Sequence, residues 1–256
     1  MPELCVCSWS LRSHINRDFA AQDFPKVVVE EFGIKGVEIC EAHLREASEG
    51  ELDRLRDAIV SLGCTHYNFP IDVGDVSQAD EESRERDLTI IEGWIEKAAG
   101  LGARNVRVNV GKSARADDES VGIAVASFRR LAEKCEGLGM GLLIENHGGI
   151  SSDPELVVRF VEELGHPNVG TCPDFGNFPD EVRYVGLEAL MPYARHVHVK
   201  TYDFDEKGGH PSFDVERCIR IVRESGYEGP YSIEFEGKGD QHEGVRLTKE
   251  LVLGCF

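Results

Sequence analysis

Five times along the chain an apolar residue is followed by glycine and then by a short strand-like run. These are Phe32-Gly33, Leu62-Gly63, Leu101-Gly102, Leu138-Gly139 and Leu164-Gly165, with a weaker copy at Ser225-Gly226. Glycine just past a helix supplies the left-handed backbone that a Cβ resists, so each marks a helix end feeding a strand. The interval from Gly165 to Gly226 is about twice the others. It holds one more strand–helix pair, ended at Met191-Pro192.

Between these marks the apolar residues keep helical spacing. Leu52, Leu55, Ile59 and Leu62 form one stripe, Leu88, Ile91, Ile95 and Ala98 a second, and Val121, Val125, Phe128 and Cys135 a third. Helix starts are signalled at Ser48, Asp117 and Asp214, and at Asp153-Pro154, an N-cap followed by proline at the first helical position. The strands read as Leu4–Ser8, Gly36–Ile39, Thr65–Phe69, Asn105–Asn109, Gly141–Asn146, Val169–Cys172, His196–Val199 and Tyr231–Phe235. Eight strands alternating with helices call for a parallel sheet. That count in 256 residues predicts an α/β fold, a single (β/α)8 TIM barrel occupying residues 1–256 as one domain. An open doubly wound sheet is the alternative, but no glycine-rich nucleotide fingerprint follows the first strand.

The charge limits the partners. With 47 acidic against 28 basic residues the net charge is −19, which opposes broad contact with nucleic acid or an anionic membrane. No apolar run reaches the roughly 20 residues of a membrane span, and the N-terminus lacks the features of a secretory signal. The eight cysteines sit singly in apolar stretches with no Cys-x-x-Cys, so they read as buried free thiols of a cytoplasmic protein. The stretch from Phe204 to Phe213 is long for a βα loop. It reads either as part of a lid or as an ordered surface excursion. A homo-oligomer is left open, with Trp94 and Phe256 as apolar candidates for its contact, although Trp94 lies beside a core stripe.

In a barrel the active site lies at the C-terminal ends of the strands, and polar residues gather there. Strand two ends in Glu38, and strand four carries Arg107. Strand five ends Glu145-Asn146-His147, Asp174 follows strand six, strand seven carries His196, His198 and Lys200, and strand eight carries Glu234 and Glu236. Period-2 alternation sets Glu145 with His147, His196 with His198 and Lys200, and Glu234 with Glu236, on faces that point into the barrel. Each residue alone reads equally as a solvated rim group, and Asp174 as turn chemistry. Together, Glu145, Asp174, His198 and Glu234 follow four successive strands. Carboxylates crowded at one mouth repel each other unless a cation joins them. Carboxylates plus one histidine suit a single divalent ion, Mn²⁺ or Mg²⁺ first and Co²⁺ or Zn²⁺ behind them.

These segments resemble the xylose isomerase-like barrel superfamily, in the branch labelled sugar phosphate isomerase/epimerase. The resemblance spans Cys7 to Leu11, Gly36-Val37-Glu38, Asn105 to Val108, Glu145 to Gly149, His196 to Lys200 and Ser232-Ile233-Glu234. It implies that Glu145, Asp174, His198 and Glu234 hold one metal. It further implies a sugar isomerase or epimerase working through an enediolate, with Glu145 and Glu234 as the acid/base pair. Glu38, Arg107, His147 and Lys200 are the candidates to meet a sugar or keto-sugar substrate. Arg107 reads equally as a structural ion-pair partner of Glu38. Asn177 stands where many members of the superfamily carry histidine, a departure that argues against a ketose 3-epimerase.

Three other functions compete. A lyase or dehydratase acting on a 3-keto-glycoside or keto-inositol would use the same enediolate to expel a β-leaving group. A non-catalytic sugar-binding barrel would bind without turnover. An endonuclease IV-like phosphodiesterase needs more histidine ligands and a basic surface, which this chain lacks.

Overall fold

The computed structural model describes residues 1–111 and 117–256. Strands and helices alternate: β1 (Leu4–Cys7), α1 (Phe24–Phe32), β2 (Gly36–Glu38), α2 (Glu49–Ser61), β3 (Thr65–Ile71), α3 (Glu81–Gly100), β4 (Asn105–Val108) and α4 (Asp118–Gly137). The second half follows with β5 (Gly141–Glu145), α5 (Pro154–Leu164), β6 (Val169–Cys172), α6 (Arg183–Leu190), β7 (Val197–Thr201), α7 (Val215–Glu224), β8 (Tyr231–Phe235) and α8 (Gln241–Gly254). All ladders are parallel, in the order β6-β5-β4-β3-β2-β1-β8-β7. The architecture is the expected (β/α)8 barrel.

The glycine marks are helix ends. Gly33, Gly63, Gly102, Gly139, Gly165 and Gly226 all take positive φ, between 54° and 77°. The capping signals also act as expected. Ser48 and Glu51 close a capping box on α2, and Asp117, Asp153 and Asp214 accept main-chain N–H groups of α4, α5 and α7. Such caps each contribute about 1 kcal/mol. The helical stripes are buried: Leu55, Ile91, Phe128 and Cys135 all lie against the sheet at 0–1% exposure. Trp94, at 8%, belongs to this core, while Phe256 is exposed.

Boundaries differ at six strands, and β1, β4 and β5 each simply end one residue earlier than expected. β3 runs on through Pro70 to Ile71, because the fixed φ of proline suits extended backbone. β7 starts at Val197 and runs to Thr201, leaving His196 just outside the ladder. β2 stops at Glu38, where its register against β3 shifts so that Glu38 stands opposite Asn68. The stretch after β7 folds on itself: the Tyr202 main-chain N–H donates to His210 Nε2 at 2.8 Å, and Asp205 accepts from the N–H groups of Lys207 and Gly209.

The seam between β6 and β7 is not a regular ladder. Isolated bridges join Thr171 to Ala194 and Asp174 to His198. His198 N donates to Pro173 O at 3.0 Å, and Phe175 N to His198 O at 3.2 Å. Irregular backbone therefore closes the barrel where two candidate ligands stand side by side.

All eight cysteines are free, and six of them are buried. Among the described residues no helix is long and apolar enough to cross a membrane.

One interior group is expected to make the fold acid-sensitive. His66 in β3 is 2% exposed, and its Nε2 has no partner among the described residues. Burial pushes its pKa down to about 4. A histidine depressed in the folded state contributes stability that is present above its unfolded value near 6.5 and is lost as pH falls toward 4. Between pH 7 and pH 5 that loss is about 2 kcal/mol. Urea unfolding of His66→Leu at the two pH values is expected to show a correspondingly smaller loss. Equal acid sensitivity in variant and wild type contradicts the assignment.

Candidate metal centre

Glu145 ends β5, Asp174 follows β6 at the seam, His198 is the second residue of β7, and Glu234 is the fourth of β8. One donor atom from each lies within 4.8 Å of the others, and none of the four residues is more than 6% exposed. His198 Nδ1 faces the group, 2.9 Å from Glu145 Oε1, 3.7 Å from Glu234 Oε2 and 3.8 Å from Asp174 Oδ2.

The backbone of Asp174 is fixed from β5. Asn146 Oδ1 accepts from Asp174 N at 2.8 Å, while its Nδ2 donates to Asp174 O at 3.0 Å. Asp174 Oδ1 accepts from the N–H groups of Gly176 and Asn177 at 2.7 and 2.8 Å. Oδ2 is left over, directed at the cluster. Asp174 Oδ2 and Glu234 Oε2 are both buried and receive no hydrogen bond. Unpartnered buried carboxylate oxygens are costly unless a charge joins them. Burial pushes the Asp174 carboxyl well above the usual range, with Glu234 and Glu145 adding to the effect against Lys200. Three carboxylates and one imidazole nitrogen fit a divalent cation, which would add to the single ammonium of Lys200 near these two oxygens.

Basic groups surround the cluster. Arg107, 3% exposed, sits between Glu145 and Asp72, its Nε 2.8 Å from Glu145 Oε2 and its Nη1 bonded to Asp72 Oδ1. It does not pair with Glu38, so that reading is corrected: Asp72, from the end of β3, holds the guanidinium instead. Burial raises the Glu145 carboxyl, but Arg107 and then His198 reverse this and hold it low. Lys200 Nζ lies 3.4 Å from Asp174 Oδ2 and 3.3 Å from both Glu234 Oε2 and Glu236 Oε2. It donates to Asn177 Oδ1 at 2.9 Å, and Asn177 Nδ2 donates to Glu145 Oε1 at 3.2 Å.

The remaining candidates divide. His147 is exposed and makes no side-chain hydrogen bond with the cluster; the strand has ended, and its main-chain N–H donates to Ser151 Oγ. Glu38 has no exposed surface, so it meets no substrate from the mouth. Its oxygens accept from Asn68, His196, His198 and Ser232. Cys5, Glu38 and His196 form a second group of metal-capable side chains, but four donors already occupy the Glu38 carboxylate. Glu236 accepts from Trp9 Nε1 at 2.7 Å.

Sequence reasoning assigned no role to Asn68, Asp72, Asn146 or Ser232, and read Asn177 only as a departure from the superfamily's histidine. Only the two asparagines nearest a candidate, Asn146 beside Glu145 and Asn177 beside Asp174, had a positional signal.

Comparison with known proteins agrees with this geometry. Residues 27–251 match the family model described as xylose isomerase-like TIM barrel. Over 48 residues the chain is 46% identical to a C-glycoside deglycosidase alpha subunit of Arthrobacter globiformis, covering 19% of this chain and 14% of that protein. Over 112 residues it is 30% identical to a 3'-dehydrocarminate deglycosidase alpha subunit of Microbacterium sp, covering 44% of this chain and 25% of that protein. The chain thus spans a quarter or less of these relatives' length in the matched parts. In three dimensions it shares its fold with a 3-keto-D-glucoside 4-epimerase from E. coli (TM-score 0.79, 18% identity, all of both chains). It likewise shares the fold of a probable 3-DHS dehydratase from Bacillus anthracis (TM-score 0.76, 18% identity, 98% of both). With the family model matched from within α1 to within α8, the chain belongs to the xylose isomerase-like TIM barrel family.

Proposed function

We propose that this chain is a metal-dependent lyase that cleaves a 3-keto-glycoside, or a closely related keto-sugar, by β-elimination. The observation that carries the reading is the inequality of the two carboxylates expected to act as a pair. Glu145 Oε1 accepts from Asn177 Nδ2 at 3.2 Å, and Oε2 is ion-paired at 2.8 Å with the Arg107 guanidinium, which cannot give up a proton and is held from its other side by Asp72. Glu234 Oε2 instead faces the Lys200 ammonium at 3.3 Å, a group that can exchange a proton and is shared with Asp174 and Glu236. One base beside an exchangeable proton donor suits elimination, in which a proton leaves one carbon and the neighbouring bond breaks. Inverting a carbon by transfer between two bases needs both to be free. The matched deglycosidase subunits support the same choice.

Glu145, Asp174, His198 and Glu234 would hold the cation, Mn²⁺ or Mg²⁺ by donor type, which when bound polarises the ketone. Glu234 takes the proton from C2, beside the C3 ketone of the substrate. The electron pair forms the C1–C2 double bond as the bond from C1 to the aglycone breaks. The aglycone leaves with the bonding pair that joined it to C1 and takes a proton from the Lys200 ammonium, and Glu234 returns its proton to Lys200 across 3.3 Å. Arg107 and Asn177 keep Glu145 fixed throughout, and exposed His147 is placed to meet a substrate hydroxyl.

The test is p-nitrophenyl 3-keto-glucoside with Mn²⁺-loaded protein in D₂O, followed by NMR. Release of nitrophenol with formation of the unsaturated keto-sugar is the expected result. Deuterium uptake at carbon without release would replace the lyase by an isomerase or epimerase. Binding with neither would leave a sugar-binding barrel.

A further inference from the structure

Glu38 is a buried carboxylate that neither belongs to the four-residue cluster nor reaches the mouth. Oε1 accepts from Asn68 Nδ2 at 2.7 Å and His198 Nε2 at 2.8 Å. Oε2 accepts from His196 Nε2 at 2.9 Å and Ser232 Oγ at 2.5 Å. Four donors from three other strands and the β7 approach therefore fill it, and no lysine or arginine is among them. With a donor on every side, neither oxygen has room for a proton of its own. It stays an anion in the barrel interior. The register shift between Val37 and Glu38 is what sets it opposite Asn68.

We propose that Glu38 is a positioning residue that fixes the tautomer of His198 and so presents the Nδ1 lone pair to the divalent cation. The proposal rests on the ligand set described above. A neutral imidazole has one N–H, and an ionised carboxylate can only accept. With Glu38 at 2.8 Å from Nε2, the proton belongs on Nε2. Nδ1 then faces three carboxylates, of Glu145, Asp174 and Glu234, with a lone pair that only a cation can satisfy. Carboxylates that hold the far nitrogen of a ligating histidine usually act this way on metal affinity.

An amide cannot replace this group. Glutamine at position 38 would offer one acceptor oxygen and one NH₂, and that NH₂ would meet two donors. Where it faces His198, Nε2 must become the acceptor, and the N–H moves to Nδ1, where it blocks the cation.

The experiment is Mn²⁺ titration of wild type, Glu38→Gln and Ser232→Ala, followed by EPR. Glu38→Gln is expected to bind roughly 10- to 100-fold more weakly. The nitrogen coupling of the bound ion in the pulsed EPR spectrum should disappear with it. Ser232→Ala, which leaves the His198 contact in place, should lose at most a few-fold and keep the coupling. A Glu38→Gln protein with wild-type affinity and an intact nitrogen coupling overturns the proposal. Should that variant not fold, the ¹⁵N shifts of His198 in Mg²⁺-loaded wild type decide: a proton on Nε2 supports the proposal and one on Nδ1 overturns it. Absence of any Mn²⁺ binding by wild type would instead overturn the ligand set itself.

Discussion

Glu234→Gln is expected to lower elimination from a 3-keto-glycoside by about 10²- to 10⁴-fold at saturating Mn²⁺, the usual cost of losing a positioned base. The amide keeps one oxygen for the cation but takes no proton. Glu145→Gln should behave differently. Its carboxylate is held by Arg107 and Asn177, so the first loss is of Mn²⁺ affinity, with part of the turnover recovered as the ion is raised. Stopped assays across an Mn²⁺ series separate the two. If excess Mn²⁺ rescues Glu234→Gln and leaves Glu145→Gln inert, the roles are reversed. If both variants are inert at every concentration, the carboxylates act as equals, and a two-base epimerase regains the advantage.

The contrast between these carboxylates was not legible in the sequence, although their positions were. Glu145, Asp174, His198 and Glu234 follow four consecutive strands, and strand ends can be placed from glycine marks and caps to within a residue or two. Alternation then set the correct face, but only while the backbone stays extended. His147 shares parity with Glu145, yet β5 has ended, and its side chain is exposed rather than buried among the ligands. The groups that tune each ligand come from elsewhere in the chain. Asp72 reaches Arg107 from 35 residues away, Asn146 reaches Asp174 across 28, and Ser232 reaches Glu38 across 194. A lone serine or asparagine in a strand carries no local signal for such a partner; only barrel closure brings them together. Arg107 shows the same limit. Its burial was foreseeable, but its choice of Asp72 over Glu38 depends on β3 running two residues past its expected end.

Asp174→Asn is expected to leave the metal-free protein at least as stable as wild type while removing its response to divalent cations. Two hydrogen bonds to Asp174 Oδ1, from the N–H groups of Gly176 and Asn177, survive in the amide. What disappears is a buried negative charge whose other oxygen has no hydrogen bond and which stands among two further carboxylates. A carboxyl held above its unfolded value costs the folded state stability as pH rises through that interval, and asparagine has no such cost. Wild type should recover the loss on binding its ion. At a free concentration 100 times Kd the gain is about 2.7 kcal/mol, or roughly 5–10 °C in Tm for a chain of this size. Thermal melts of both proteins in chelator and in Mn²⁺ give four values. The expected pattern is a cation-dependent rise in wild type alone, with the variant at or above wild type in chelator. A variant that melts far below wild type in chelator would mean that the Lys200–Asp174 pair at 3.4 Å outweighs the crowding, since breaking a well-compensated buried pair costs about 3–5 kcal/mol. The cluster would then be a structural ion-pair network rather than a site kept under electrostatic strain for a metal.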